Sequence, residues 1–464
     1  LAVAGDDPLA CRRYSTVVNT AQSETIPVHS SPRRLTSKRL IAFAIVIGVG
    51  GGIIATVYYY LLQTLLHGIW ESAAHIDPAS LPIEPAWHPR ILAISTVGGL
   101  LVGLLTWWLG SAGEIAAVVD NIHLREGRLD IRQSPSMVTT SLISIASGGS
   151  AGPEAPLVQI IGSAASWLGD RLGLETPTVR TFTFCGMGAA LGAFFGAPLG
   201  GALFALEIPH RRGIEYYEAL LPALVSAVAA FLVFRAVVGY EPVIFHLAGP
   251  QSLTLMGVVW GMVFGALGAA VAAVFVVVFS TVGRISEHWH RHPVLLATLG
   301  GATIGLLGQL SPRSLFWSEH QMDGILSSLP ILLAHHTLRA AVGLLLLLVI
   351  VKILAISATL HCGFRGGFIF PLMFMGACVG TAATALFPNL PAAVVVVTTM
   401  AAVNVAVTKT PVSTCVILVE LTGASMMPAL IAASLVSLLL TTRLNLIRTQ
   451  RARTATEAPG PKEN

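Results

Sequence analysis

Eleven apolar runs recur along the chain, at about 40–66, 91–109, 178–208, 218–238, 254–283, 293–310, 339–360, 368–387, 392–407, 411–422 and 427–442, and Gly or Pro interrupts many of them. A helix that crosses the hydrocarbon core of a bilayer needs about 20 apolar residues. Several of these runs are shorter, so part of the set is expected as half-length helices that end inside the membrane. No water meets such an end, and its unpaired backbone groups must face protein or a polar pathway. Broken helices therefore mark a pathway or a binding site. With 54% of its residues hydrophobic and 11% charged, against roughly 25% charged in an average soluble domain, the chain does not read as a water-soluble enzyme, a disordered protein or a coiled coil. Polar connectors at 67–90, 123–136, 209–217, 284–292 and 311–337 are too short for a second domain.

The charges gather at the ends. Residues 1–39 hold six Lys/Arg and three acids, and residues 443–464 hold five and two. Basic flanks resist translocation, so both termini are expected in the cytoplasm with an even number of crossings between them, in the cell inner (plasma) membrane. The net charge of +4 is met by lipid phosphates at the membrane borders and implies no nucleic-acid partner. Residues 1–38, polar and rich in Ser, Thr and Pro, read as a disordered tail without the apolar core of a signal peptide. The five cysteines, Cys11, Cys185, Cys362, Cys378 and Cys415, form no CxxC pair and read as plain buried thiols.

An internal repeat organises the chain. Gly152-Pro153-Glu154-Ala155-Pro156-Leu157 matches Gly367-Phe368-Ile369-Phe370-Pro371-Leu372, each a GxxxPL opening an apolar segment. Further on, the Pro-x8-Glu frame from Pro198 to Glu207 matches Pro411 to Glu420. The halves are offset by 215 residues at the first anchor and 213 at the second. Such duplication, with a broken segment at the same place in each half, predicts a site where the two repeats meet. The expected organisation is an N-terminal tail over 1–38, half-repeats over 39–242 and 243–450, and a cytoplasmic C-terminal tail over 451–464.

A helix that begins inside the bilayer points unpaired N–H groups, carrying a partial positive charge of about half a unit, at whatever lies ahead. Two such ends facing each other form an anion site. Pro156 and Pro371 suit first-turn positions and the preceding glycines allow a sharp entry. A small spherical anion such as chloride needs only distributed N–H donors and a few hydroxyls, whereas a full Lys or Arg would hold it too tightly. Two Pro-kinked packing helices are the plainer alternative. Glu154 speaks against that alternative, because an acid flanked by apolar residues in a membrane segment is costly and is a functional candidate by default. At a helix N-terminus its carboxylate can occupy the anion site, and protonation would free it.

Together these residues resemble the CLC family of chloride channels and proton/chloride exchangers, over about residues 39–452. The family's G(K/R)EGP signature looks like Gly152-Pro153-Glu154-Ala155-Pro156, its GxFxP signature like Gly367 to Pro371, and its NAPLAGxLFxxE segment like Gly196 to Glu207. The resemblance implies an all-α polytopic membrane protein of two inverted-topology repeats of tilted, often incomplete helices. It further implies a homodimer with one anion pathway per subunit, Glu154 as gating glutamate, and an anion lined by the backbone around Gly152, Ala155, Phe368, Ile369 and Phe370. No cofactor, metal or enzymatic activity is expected.

The chain departs from the family pattern at several points. The GSGxP signature is only loosely present in Leu109-Gly110-Ser111-Ala112-Gly113-Glu114, so either Gly110 or Ser111 takes the place of the chloride-binding serine. The inner tyrosine of the family is missing; its LYxxQ-like stretch reads Leu446-Ile447-Arg448-Thr449-Gln450, which makes Ile447 the candidate inner gate. Where exchangers often carry an internal proton-transfer glutamate the chain has Ile208, which leaves Glu207 and His210 as candidates on a proton path; Glu207 and Glu420, at equivalent places in the repeat, otherwise read as helix-end acids hydrogen-bonded to backbone. Arg365 either supplies positive charge near the pathway or snorkels at the interface. Lys352 is expected to snorkel to the cytoplasmic interface, with a role in the pore as the alternative, and Tyr58-Tyr59-Tyr60 and Trp107-Trp108 read as membrane-interface belts. The His288, His290, His292 alternation reads as a polar interfacial loop. The expected function is chloride/proton exchange through a pathway gated by Glu154, with a passive chloride channel as the alternative. An intramembrane hydrolase using Ser111 or Ser150 and a sodium-coupled transporter are the remaining rivals.

Overall fold

The computed structural model describes residues 35–110, 115–210, 214–239, 254–422, 426–444, 446–447 and 450. Seventeen α-helices lie in them: α1 Ser37–Leu66, α2 Pro89–Leu109, α3 Ile115–Leu124, α4 Ser134–Ala146, α5 Glu154–Arg171, α6 Thr176–Phe195, α7 Pro198–Glu207, α8 Leu220–Val238, α9 Leu255–Glu287, α10 Pro293–Leu310, α11 Glu319–Ser327, α12 Leu329–His335, α13 Leu338–His361, α14 Ile369–Leu386, α15 Ala392–Thr408, α16 Pro411–Thr422 and α17 Met427–Leu440. Among the described residues, seven helical segments are long and apolar enough to cross a membrane, and the other apolar helices are shorter. The chain is thus a multi-pass membrane protein with complete and incomplete helices side by side.

The run expected at 178–208 is two helices rather than one. Gly196 ends α6 in the left-handed region at φ 67° and Pro198 opens α7. The second half repeats the device with Lys409, which ends α15 at φ 61° before Pro411 opens α16. A side chain in that conformation costs about 1–2 kcal/mol. Lys409 is held there by Nζ donating to Ala406 O at 2.7 Å and to Thr441 O at 2.6 Å.

Outside the connector at 311–337, three helices have no counterpart among the eleven long runs: α3, α4 and α5. Helix α4 carries Ser136, Thr140, Ser141 and Ser144, all buried, and α5 opens on Glu154. Their polar side chains face protein instead of lipid, so mean apolarity underreports them. The connector at 311–337 holds the short helices α11 and α12. Elsewhere small residues let backbones approach, as membrane helices require when apolar contact alone brings no gain over lipid. A Cβ on Gly99 of α2 would overlap the carbonyl of Ala297 on α10, and one on Gly301 of α10 would overlap that of Ser95.

Candidate functional site

Glycine brings the two broken helices together. Gly152 N–H donates to Gly367 O at 2.8 Å and Gly367 N–H to Gly152 O at 2.6 Å, an isolated antiparallel bridge between the repeats. The GxxxP openings therefore face each other, with α5 beginning at Glu154 and α14 at Ile369. A Cβ on Gly367 would collide with the Glu154 carboxylate, and one on Gly366 with Ala151. Glycine is required at both positions by the approach of the other half.

The Glu154 carboxylate is 1% exposed. Its Oε1 accepts the N–H of Ile369 at 2.9 Å, so the acid lies across the gap on the first turn of α14. Oε2 has no hydrogen-bond partner. A negative group thus lies against the positive end of the opposing helix, held from one side only. Ala155, Phe368, Ile369 and Phe370 are buried around it. Phe370 packs edge-on against Phe194 and Phe195.

Two cavities lie at the openings of α5 and α14, the smaller of them against the carboxylate. One, of about 10 Å³, is bounded by Glu154, Val118, Phe204, Ile208 and Ile369. That volume is at the threshold for a single water, roughly 10–15 Å³, and its walls, Glu154 apart, are apolar. The other, of about 90 Å³, is lined by Ala155, Gln159, Arg365, Phe368 and Ile447. Ile447 and Arg365 therefore share one chamber beside the α5 and α14 openings, with the guanidinium side chain 7% exposed.

The other candidate residues fall elsewhere. Gly110 ends α2 at the surface with φ 82°, its carbonyl accepting from Ser136 Oγ at 2.7 Å. Ser111 lies outside the described residues. Glu207 accepts from Val412 N–H at 3.1 Å, Ser413 N–H at 2.8 Å and the Ser413 hydroxyl at 2.6 Å. Its carboxylate caps α16, while the neighbouring Ile208 is the residue that reaches the gap beside Glu154. His210 is buried, with Nδ1 2.7 Å from Leu206 O and its ring beside those of His123 and Tyr216.

Two expectations are corrected. Lys352 does not snorkel: it is fully buried, and Nζ donates to Ser314 O at 3.0 Å, Phe316 O at 2.7 Å and Ser318 Oγ at 2.7 Å. Three acceptors on one loop offer the ammonium a better shell than a reach to the interface. Ser150 donates to the same Ser314 carbonyl at 2.9 Å, which ties that loop to the segment before Glu154. Nor is Tyr58 part of a belt. It is 3% exposed, bonds Ser141 Oγ at 2.8 Å and lies within electrostatic reach of Glu154. The signal for it was periodicity, since Ala55, Tyr58, Leu62 and Leu66 share the buried face of α1. Trp107 and Trp108 are exposed.

The comparisons bear on this arrangement as a whole. The family model described as voltage gated chloride channel matches residues 98–442. YfeO of Salmonella paratyphi A, a protein named for ion transport, is 29% identical over 379 residues, covering 79% of this chain and 85% of that one. YfeO of Salmonella newport is 28% identical over the same length. Among solved structures, a CLC-type fluoride/proton antiporter superposes with a TM-score of 0.74 at 21% identity, over 90% of this chain and 100% of that chain. A slow cyanobacterial Cl⁻/H⁺ antiporter follows at 0.69 and 22%, over 89% and 96%. These likenesses establish the fold: an all-α membrane protein of the CLC type. With its opposed helix openings, its buried acid between them and a family match over most of its length, the chain belongs to the voltage-gated chloride channel (CLC) family.

Proposed function

We propose that this chain exchanges chloride for protons across the membrane, with Glu154 as the gate of the anion pathway and as proton carrier. The observation that carries the reading is the half-held carboxylate: buried, bonded through Oε1 to the Ile369 N–H of the opposite repeat, with Oε2 unpartnered. In that position the acid occupies the donors an anion would use. Protonation removes the charge that favours this contact, the carboxyl swings away, and chloride takes the N–H groups at the openings of α5 and α14. The chamber holding Arg365 and Ile447 is the approach from the cytoplasmic side, and Ile447 replaces a hydroxyl with an apolar constriction. A homodimer in the cell inner membrane, both termini cytoplasmic, completes the proposal.

A passive channel is the second reading, and one observation favours it. Ile208 borders the gap beside Glu154, and an isoleucine there relays no proton. The test is chloride efflux from liposomes holding the purified protein, with external pH recorded, for wild type and Glu154→Gln. Opposed proton movement that disappears in Glu154→Gln supports exchange. Chloride efflux without proton movement in either protein supports the channel, and no anion flux in wild type overturns both. Running the assay with fluoride in place of chloride separates the two selectivities.

A further inference from the structure

Helix α5 turns two faces to two different spaces. Glu154 and Val158, four residues apart, border the small gap, whereas Pro156 and Gln159, three apart, border the larger chamber; Ala155 lines both. The chamber, of about 90 Å³, has several times the roughly 10–15 Å³ that one water requires. The charged or titratable side chains in its wall are His361 and Arg365, and no Asp or Glu is among its lining residues. That wall offers an anion the positive charge of Arg365 and no opposing carboxylate.

Gln159 supplies the sign of a ligand. It is 2% exposed, yet among the described residues no group hydrogen-bonds either end of its amide. Neither Oε1 nor Nε2 belongs to the fully enclosed unpartnered atoms, so the surface the amide keeps faces the chamber it lines. Its neighbours on α5 are Leu157, Val158, Ile160 and Ile161, and an alkyl side chain at 159 would complete that wall without the cost of an unmet polar group. The amide needs two things at once, an acceptor for Nε2 and a donor for Oε1. A halide accepts from Nε2 and offers Oε1 nothing, and so does nitrate. A water has both functions but brings no charge to a wall that holds Arg365. A planar oxyanion carrying one hydrogen meets every demand: one oxygen accepts from Nε2 while the adjacent O–H donates to Oε1, two parallel bonds in one plane.

We propose that Gln159 makes the chamber selective for a small planar oxyanion that carries a hydrogen, bicarbonate being the simplest, with Nε2 donating to the ion and Oε1 accepting its O–H. This deepens the anion-transport reading and rests on it for the route by which the ion arrives. Binding itself requires no movement of Glu154, which faces the other space.

The experiment is calorimetric titration of the purified full chain in detergent with sodium bicarbonate and with sodium nitrate, at constant ionic strength and in mildly alkaline buffer where bicarbonate prevails. Nitrate has the same planar shape and charge and lacks the hydrogen. Saturable bicarbonate binding is expected, about tenfold tighter than nitrate, the effect of one buried acceptor met or left unmet. In Gln159→Leu bicarbonate should fall to the level of nitrate while nitrate itself changes by less than about twofold, a loss of discrimination that a merely structural role would not produce. The wild-type comparison of the two ions decides the matter if Gln159→Leu does not fold. The proposal is overturned by the absence of saturable bicarbonate binding, by equal affinity for nitrate, or by discrimination that survives in Gln159→Leu. Flux in liposomes separates it from the transport reading: selective binding without any anion flux overturns transport and keeps the site, whereas chloride flux with equal affinity for the two ions overturns the site alone.

Discussion

Two pairs of helix N-termini meet across the repeat, and they are closed in different ways. At α7 and α16 each half lends an acid to the other: Glu207 accepts three hydrogen bonds from Val412 and Ser413 at the start of α16, and Glu420 Oε2 accepts Gly200 N–H at 2.9 Å at the start of α7. The exchange is reciprocal, so both positive helix ends are neutralised. At α5 and α14 only one half has an acid. Glu154 lies on Ile369 N–H, and the matching residue in the second half is Ile369 itself. One carboxylate therefore serves two openings and keeps one oxygen unbonded. The first pair, a joint, is closed symmetrically, whereas the second is covered by one acid held through a single oxygen. The joint keeps an acid in both halves, and the pair at α5 and α14 keeps an acid in one.

Substitutions can break this contrast, beginning with the largest effect. Glu154→Gln is expected to abolish proton movement in the liposome assay while chloride flux persists and its pH dependence flattens; a variant that still drives protons would remove Glu154 from the mechanism. Gly367→Ala comes next. Its Cβ needs the space of the Glu154 carboxylate, so the acid is displaced and the chloride rate changes in wild type. The same substitution made in Glu154→Ala should leave the rate nearly unmoved, a non-additivity that double-mutant flux measurements detect.

The joint should respond in stability instead of transport. Glu207→Ala leaves three donors unpartnered, two of them backbone N–H groups at the start of α16, where Ser413 is buried, and is expected to cost about 2–4 kcal/mol. Thermal unfolding in detergent measures this, and flux per folded protein should stay within about twofold. A proton-coupling defect in Glu207→Gln with normal stability would instead return Glu207 to a proton path. The smallest effect belongs to Glu420→Ala, where a partly exposed acid is removed. About 1 kcal/mol is expected, the ordinary value of a lost N-cap.

Much of this arrangement is legible in the sequence. The apolar runs located most helices to within a few residues, because lipid imposes composition directly. The two GxxxP openings and the 215-residue offset predicted that Gly152 and Gly367 would stand opposite one another, and they form the bridge between the halves. What was not legible depended on direction. Helices α4 and α5 hid because their hydroxyls face inward. Lys352 looked like a snorkelling lysine, since sequence shows a charge in an apolar helix but not the loop carbonyls of Ser314 and Phe316 beside it. Tyr58 shared its run with Tyr60, which is exposed while Tyr58 is buried.

By itself the sequence determined the solvent, the breakage of the helices and the duplication, all properties of local composition and spacing that need no partner. Tertiary structure alone decided which donors each acid meets. Glu154 meets Ile369 across 215 residues, Glu207 meets Ser413 across 206, and Glu420 meets Gly200 across 220. Three acids with similar surroundings in the chain thus become one half-held gate candidate and two caps. The reason is physical: a carboxylate taken out of solvent is defined by the donors that reach it, and Ile369, Ser413 and Gly200 each come from the half opposite their acid.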